Sequence, residues 1–578
     1  MKILLKLAFL IALLIFPWLV LGPAGQWLES LPLRIAAFVL VCLIGARLAR
    51  SAWSGTGWIE ALLISTLANG VTYQIAAYLP TISTYPLSLG WSEVSRYYYA
   101  SLFFSERLYG VALPTSVLHP SRYLMQGLPF IFPASPLWLH RLWQVILWIV
   151  FSLGTAALLA KRLGTSAGVE GEDRGFPSRG WRIGFILWAY LFLFQGPVYY
   201  HLLVMVILIL WGYDRLRPWK TLAFVLVASA WAGISRVNWL PVPGLLAATL
   251  YLLECKIMPK ATWRYLVPPV LWTALGTTVA FVAQQAYMTW SGNPPEQFGS
   301  SFTSDLLWYR LLPSHTYPLG ILPSILLVSL PVLCLIAVRL LPRWRSYHFL
   351  RLAGLAAMLF VLFTGGVIVS LKIGGGSNLH NLDAYLVLLL VIASAIYFGR
   401  FLPDRAEPEP SFRPHYPLVA FAVIVPVLYA ITSGGSYSQY NFQAAQEAIE
   451  AIRQTAHERA GVEGEVLMIS QRHLLTFGEL KGIALLPDYE KVFLMEMAMA
   501  ANGPYLEAFH QDIQNQRYEL IVSDPLVVQY QGRSHSFGEE NDAWVRYVSE
   551  PVLCYYEPLI TLKDVEVQLL TPRQTPCE

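Results

Sequence analysis

Three stretches of this 578-residue chain concentrate side chains that could act on a substrate. The first reads Leu89-Gly-Trp-Ser-Glu-Val-Ser-Arg-Tyr-Tyr-Tyr-Ala-Ser-Leu-Phe-Phe-Ser-Glu-Arg-Leu-Tyr109. A helix from about Ser92, capped by that serine, would set Glu93, Arg96, Tyr97, Ala100, Phe104 and Arg107 on one face. A carboxylate there can take a proton from a hydroxyl, and an arginine beside it can hold a phosphate. A structural helix lying in a headgroup layer would use the same residues. The second stretch begins His119-Pro-Ser-Arg122 and ends at His140-Arg141. Arg122, always charged and able to bond two oxygens at once, suits phosphate; as an interfacial anchor it would look the same. The third runs from Lys372 through Gly374, Gly375, Gly376, Asn378 and His380 to Asp383. Its glycines let backbone amides approach an anion, while Lys372, Asn378 and His380 supply charge and hydrogen bonds. A flexible turn between helices is the alternative there.

The elements that must carry these stretches are apolar. Hydrophobic residues make up 56% of the chain and charged ones 13%, against about 25% charged in a soluble domain. Too few charges remain to cover a protein of this size in water. The apolar residues fall into blocks of bilayer-crossing length, at roughly 3–22, 33–49, 58–79, 137–159, 182–196, 199–213, 219–236, 241–254, 266–288, 319–338, 350–371, 384–401 and 416–432. The pairs at 182–213 and 219–254 are the shortest. The opening run from Lys2 to Leu21 has no small-x-small cleavage site and reads as a retained first helix. The expected fold is a polytopic α-helical membrane protein of about 13 transmembrane helices over 1–433. A water-soluble α/β domain is expected over 434–578.

Charge separates the two parts. From Gly434 onward 10 basic residues face 21 acidic ones, whereas the preceding part holds 30 basic and 15 acidic. Of those 30, 22 fall in one set of alternating loops and 8 in the other. The positive-inside rule then puts the tail and the loops 80–136, 289–318 and 372–383 outside the cytoplasm. Six acids of the membrane part lie on that face: Glu29, Glu93, Glu106, Glu296, Asp305 and Asp383. A general base acting there comes from this set, from a histidine or from the tail. Glu93 is the first choice, with Glu106 and Asp305 behind it.

In the tail, apolar spacing predicts a helix near 441–459, a strand at 465–470, a helix over 490–516 and a strand at 518–523. Cys554 and Cys577 would pair in an oxidising compartment, or stay as two thiols. There is no HExxH, no Cys/His zinc spacing, no GxSxG elbow, no P-loop and no DxD pair. Basic residues follow topology and form no nucleic-acid patch.

Taken together, the chain resembles the GT-C superfamily of membrane glycosyltransferases, which includes protein O-mannosyltransferases and lipid A aminoarabinose transferases. The resemblance rests on Glu93, Tyr97 and Ala100 followed by His119-Pro120, on Lys372-x-Gly374-Gly375-x-x-Asn378, and on many spans followed by an extracytoplasmic domain. It implies inverting transfer of a sugar from a polyprenyl-phosphate carrier to a lipid, glycan or protein acceptor. Glu93 would be the base, with Arg96, Arg122 and Lys372 on the carrier phosphate and Tyr97, His119, Asn378 and His380 around the substrate. The loop follows the third span rather than the first, a difference that two extra N-terminal helices would explain. The acid lacks an adjacent partner and there is no DxD pair, so neither metal nor other cofactor is expected. The expected location is a bacterial inner membrane. A transporter of lipid-linked sugar or a non-catalytic scaffold are the competing classes.

Overall fold

A computed structural model describes residues 2–53, 55–164, 176–257, 262–299, 303–374, 379–405, 414–437, 439–460 and 464–577. Eight of its helices are long and apolar enough to cross a membrane: Lys2–Leu21, Leu31–Ala52, Trp58–Thr81, Leu137–Gly164, Trp263–Trp290, Ile321–Ser346, Phe349–Ser370 and His380–Tyr397. The chain is a polytopic helical membrane protein.

The helices differ in what they face. Phe349–Ser370 and Trp263–Trp290 are mostly exposed along their apolar lengths, as suits lipid-facing positions, while 94% of His380–Tyr397 is buried. That central helix packs against Ile321–Leu340 and Phe349–Ser370. Gly366 permits the second contact: a β-carbon there would stand 2.9 Å from the Asn381 carbonyl oxygen.

Between the long helices sit two hairpins of short ones, Arg179–Phe192 with Tyr200–Gly212 and Pro218–Gly233 with Val242–Glu254. At 1.5 Å per residue the first pair reaches only about 20 Å, short of about 30 Å of hydrocarbon. Their apices, near 193–199 and 234–241, therefore end inside the membrane layer. Trp148 packs against Phe194, Tyr199 and Tyr200 of the first apex, with ring centroids 5.0–5.7 Å apart. Trp148 is eleven residues into the Leu137–Gly164 helix, which places that apex about 16 Å below the helix's outer end. The Pro120–Gln126 helix dips less far, about 10 Å below the same helix end: Trp143 donates to the Met125 carbonyl and Gln126 to Gln144.

The tail forms a four-stranded sheet in the order β1-β2-β4-β3, with β1 (Val466–Met468) parallel to β2 (Leu520–Ser523). β3 (Tyr556–Leu562) and β4 (Val567–Pro572) make an antiparallel hairpin beside β2. Helix Phe442–Ala460 covers one face, burying Ala445, Ile449 and Ile452. The expected 490–516 helix is two, Lys491–Met499 and Gly503–Gln514, because Asn502 caps the second and turns the chain. Cys554 and Cys577 form a disulfide.

The tail is clamped to the membrane part at two places. Fully buried Arg310 donates to both Glu540 oxygens at 2.7 Å and to Glu539 at 3.0 Å. Glu540 also accepts from the Gly374 amide at 2.8 Å. Leu306 bridges Lys372, and Ile373 donates to the Asp305 carbonyl, so the tail grips two loops already joined to each other. At the second place the turn after β1 docks on the first long loop. Arg472 donates to the Tyr98 hydroxyl, His473 to the Pro86 carbonyl, and Tyr99 bonds Glu490.

Candidate functional site

A cavity of about 540 Å³ lies above the second hairpin apex. Its walls come from His119, the 233–238 turn, Tyr287 and Gln284, the outer part of Phe349–Ser370, Lys372–Gly374 and His380–Asn381. Glu496 of the tail completes the lining. Because Val361 is nine residues before Ser370, the cavity reaches about 13 Å below that helix end.

The floor is polar where a membrane interior is normally apolar. Asp383, fully buried, accepts from the Trp239 indole at 2.9 Å, from the Ala384 amide at 2.7 Å and from Arg236 at 3.3 Å. Its place at the start of the 383–397 helix adds the favourable end of the helix dipole. Arg236 also donates to the His380 carbonyl. Beyond Arg236, the Tyr199 ring lies between two guanidinium groups, Arg236 at 4.9 Å and Arg122 at 4.7 Å. Among the described residues no carboxylate pairs with Arg122, although only 8% of it is exposed. Its Nε finds no hydrogen-bond acceptor, and neither do the ring nitrogens of neighbouring His201. A buried cation without a counter-charge is costly unless an anion or a cation–π face compensates it.

His119, on the wall, behaves differently from free imidazole. His119 takes a left-handed backbone conformation at φ 49°, and its Nδ1 donates to the Ser235 carbonyl at 3.4 Å. Burial pushes its pKa well below the usual value, and the Arg236 and Arg122 charges push it further. It is therefore a neutral hydrogen-bonding group. Burial also lowers the pKa of Lys372, with Glu496 opposing that shift.

The cavity gathers some of the residues expected from sequence and leaves others aside. His119, Lys372 and His380 line it. Arg122 lies behind the His119 wall, against Tyr199. Asn378 lies outside the described residues. Tyr97 is buried against His140, and Arg96 donates to Ser92 at 3.3 Å; neither lines the cavity. The helix starts at Ser95, so Ser92 does not cap it.

Glu93 is placed elsewhere. Both its oxygens are held by Arg141, at 3.0 and 3.1 Å, and one also accepts from the Leu89 amide. Burial alone would raise its pKa, but Arg141 outweighs that and holds it below the usual carboxylate range. A carboxylate so engaged is a weak base, and it does not face the cavity. Glu106 and Asp305 are exposed and line no part of it either.

Arg236, Trp239, Asn381 and Glu496 carry the site without having been singled out. The available signal was Ser235-Arg-Val-Asn-Trp239, a charged group between two short apolar runs. Among the described residues no three His, Cys, Asp or Glu side chains cluster as metal ligands do. The arrangement offers a cationic floor for an anion, neutral hydrogen-bonding walls and one carboxylate on the lining. The chain matches no protein-family model and no curated protein.

Proposed function

We propose that this protein is a membrane glycosyltransferase of GT-C type, taking a sugar from a polyprenyl-phosphate carrier in this cavity. The observation that carries the reading is the cavity itself. It is sunk among membrane helices, has Arg236 and Lys372 to meet a phosphate, and is closed by a soluble domain that contributes Glu496. Arg236, with Arg122 behind, would hold the carrier phosphate, and His119 and His380 would bond substrate oxygens. Glu496, the single carboxylate on the lining among the described residues, replaces Glu93 as the base that takes the acceptor's proton. Nine spans follow if Tyr416–Thr432 is counted with the eight long helices, the four short ones entering and leaving the layer on one face as two hairpins. The Cys554–Cys577 disulfide suits a tail outside the cytoplasm of a plasma membrane.

Purified protein in nanodiscs, given polyprenyl-phosphate hexoses and pentoses with a membrane-lipid acceptor extract, should release polyprenyl phosphate. Glu496→Gln should slow that release about 10²–10⁴-fold with an unchanged unfolding temperature. A full rate in that variant would remove Glu496 from the chemistry.

One observation favours a second reading. Half-length helices ending at mid-membrane, as around Arg236, are also how transporters build a substrate site. Carrier translocation across sealed vesicles, with no release of polyprenyl phosphate, would select transport of a lipid-linked sugar.

A further inference from the structure

A second cavity, of about 390 Å³, opens where the tail meets the first long loop. Phe130, Phe132, Trp138 and Phe477 give it aromatic walls. Trp138 belongs to the first turn of the Leu137–Gly164 helix, so the cavity sits at the level where a span meets the headgroups. Beside it Leu124, Leu128, Ile131 and Phe132 are 41–67% exposed. Four apolar side chains in this position have lipid as their natural surroundings.

The polar groups of the lining describe the ligand. Its only charged members are Arg107 and Glu479, one of each sign. In contrast to the cationic floor around Arg236, nothing here selects an anion. His473 is 1% exposed, and its Nε2 lies 2.7 Å from the Pro86 carbonyl. A carbonyl only accepts, so Nε2 carries the proton. Burial pushes the ring's pKa down to about 4, which leaves it neutral near pH 7. Nδ1 is then a bare lone pair, buried and, among the described residues, without a partner. Leaving such an acceptor unsatisfied is unfavourable. A hydroxyl donor satisfies it; an ionised phosphate, which has no proton to give, does not.

We propose that this cavity binds the hydroxyl-rich headgroup of a membrane-anchored glycolipid. A sugar hydroxyl donates to His473 Nδ1, the ring's C–H faces pack on Trp138 and Phe132, and the alkyl part lies in lipid beside Ile131. The His119–Phe130 segment joins this cavity to the one above Arg236. Its 120–126 helix spans about 10 Å and its 128–131 turn about 8 Å. If the transfer reading holds, the bound glycolipid is the acceptor, its sugar chain extending toward Glu496. That role rests on the transfer reading; the binding does not.

The test is photolabelling in phosphatidylcholine nanodiscs with dodecyl maltoside carrying a diazirine on the sugar. Label is expected in peptides covering 128–138 and 473–479. It should fall about tenfold in Phe132→Ala/Trp138→Ala, whose partly exposed side chains can be removed without emptying a core. Absence of label from both peptides would overturn the proposal. So would equal labelling by a photoreactive dodecyl phosphocholine, which marks a plain lipid crevice, or by a diazirine maltose without a chain, which marks a soluble-sugar site. Label is read without any sugar transfer, so failure of the transfer reading leaves this result standing.

Discussion

Arg141 closes on Glu93 with two parallel hydrogen bonds and spends its remaining donors on the Ser83, Tyr85 and Leu87 carbonyls. One guanidinium thus fixes the whole 83–93 turn against the start of a membrane helix. Glu93 neutralises it.

Glu93→Gln should therefore act on stability. Removing one partner of a buried pair leaves the other uncompensated, at a cost of about 3–5 kcal/mol. The expected result is a clear drop in unfolding temperature and faster proteolysis within 83–93. A variant of wild-type stability that has lost all sugar transfer would return Glu93 to the role of base.

Arg122 and Arg236 should respond differently to neutralisation. Arg122 has no carboxylate to strand, so Arg122→Met should leave stability unchanged or raise it while weakening carrier-phosphate binding more than tenfold. Arg236→Met strands Asp383 and should lower the unfolding temperature as well. Binding by microscale thermophoresis and unfolding in the same detergent would separate the two. Equal destabilisation by both would make Arg122 a packing residue.

The Arg310 clamp sets a pH dependence. Burial raises the Glu539 pKa, but the Tyr309 hydroxyl, its own backbone and Arg310 outweigh burial and hold it low. With the folded pKa depressed, this stabilisation is complete above the ordinary carboxylate range and is lost as pH falls through the folded value. Tail docking, followed by protease access to 303–320, should hold from pH 8 to 5 and loosen only in stronger acid. Loosening between pH 7 and 6 would point to a histidine instead.

Gly374 should tolerate no side chain. Its φ is +71°, and a β-carbon would stand 2.5 Å from the Met499 methyl. Gly374→Ala should cost about 1–3 kcal/mol and weaken the Glu540 contact. Adding Met499→Ala should recover only part of the loss, since it relieves the clash and not the backbone strain. Full recovery would show that the positive φ costs nothing here.

Topology can be checked directly. A reporter active only outside the cytoplasm, fused after Glu578, should give signal. Silence there, with a cytoplasmic reporter active at the same point, would invert the site's side of the membrane.

The membrane class, the order of helix and strand in the tail as far as Ser523 and part of the lining were legible in residue patterns, whereas the β3–β4 hairpin was not. Apolar block length depends on one physical requirement, and His119, Lys372 and His380 lie in loops whose polarity stands out. The engagement of Glu93 was hidden because its partner Arg141 is 48 residues away, and spacing says nothing about such a pair. Arg236 was hidden because the runs flanking it are too short to read as secure spans; that shortness is what forms the floor. Glu496 lies on a tail helix whose approach to Lys372 depends on tertiary docking.

The shallow hairpins also have an electrical consequence. Water filling the cavity would carry the potential of the face on which the tail lies down to its floor, so the transmembrane voltage would fall mainly across the roughly 20 Å of short helix beneath. A field spread over about 30 Å elsewhere is concentrated there about 1.5-fold. An anion reaching Arg236 crosses little of that voltage, and occupancy of the cavity should change little when the membrane is depolarised.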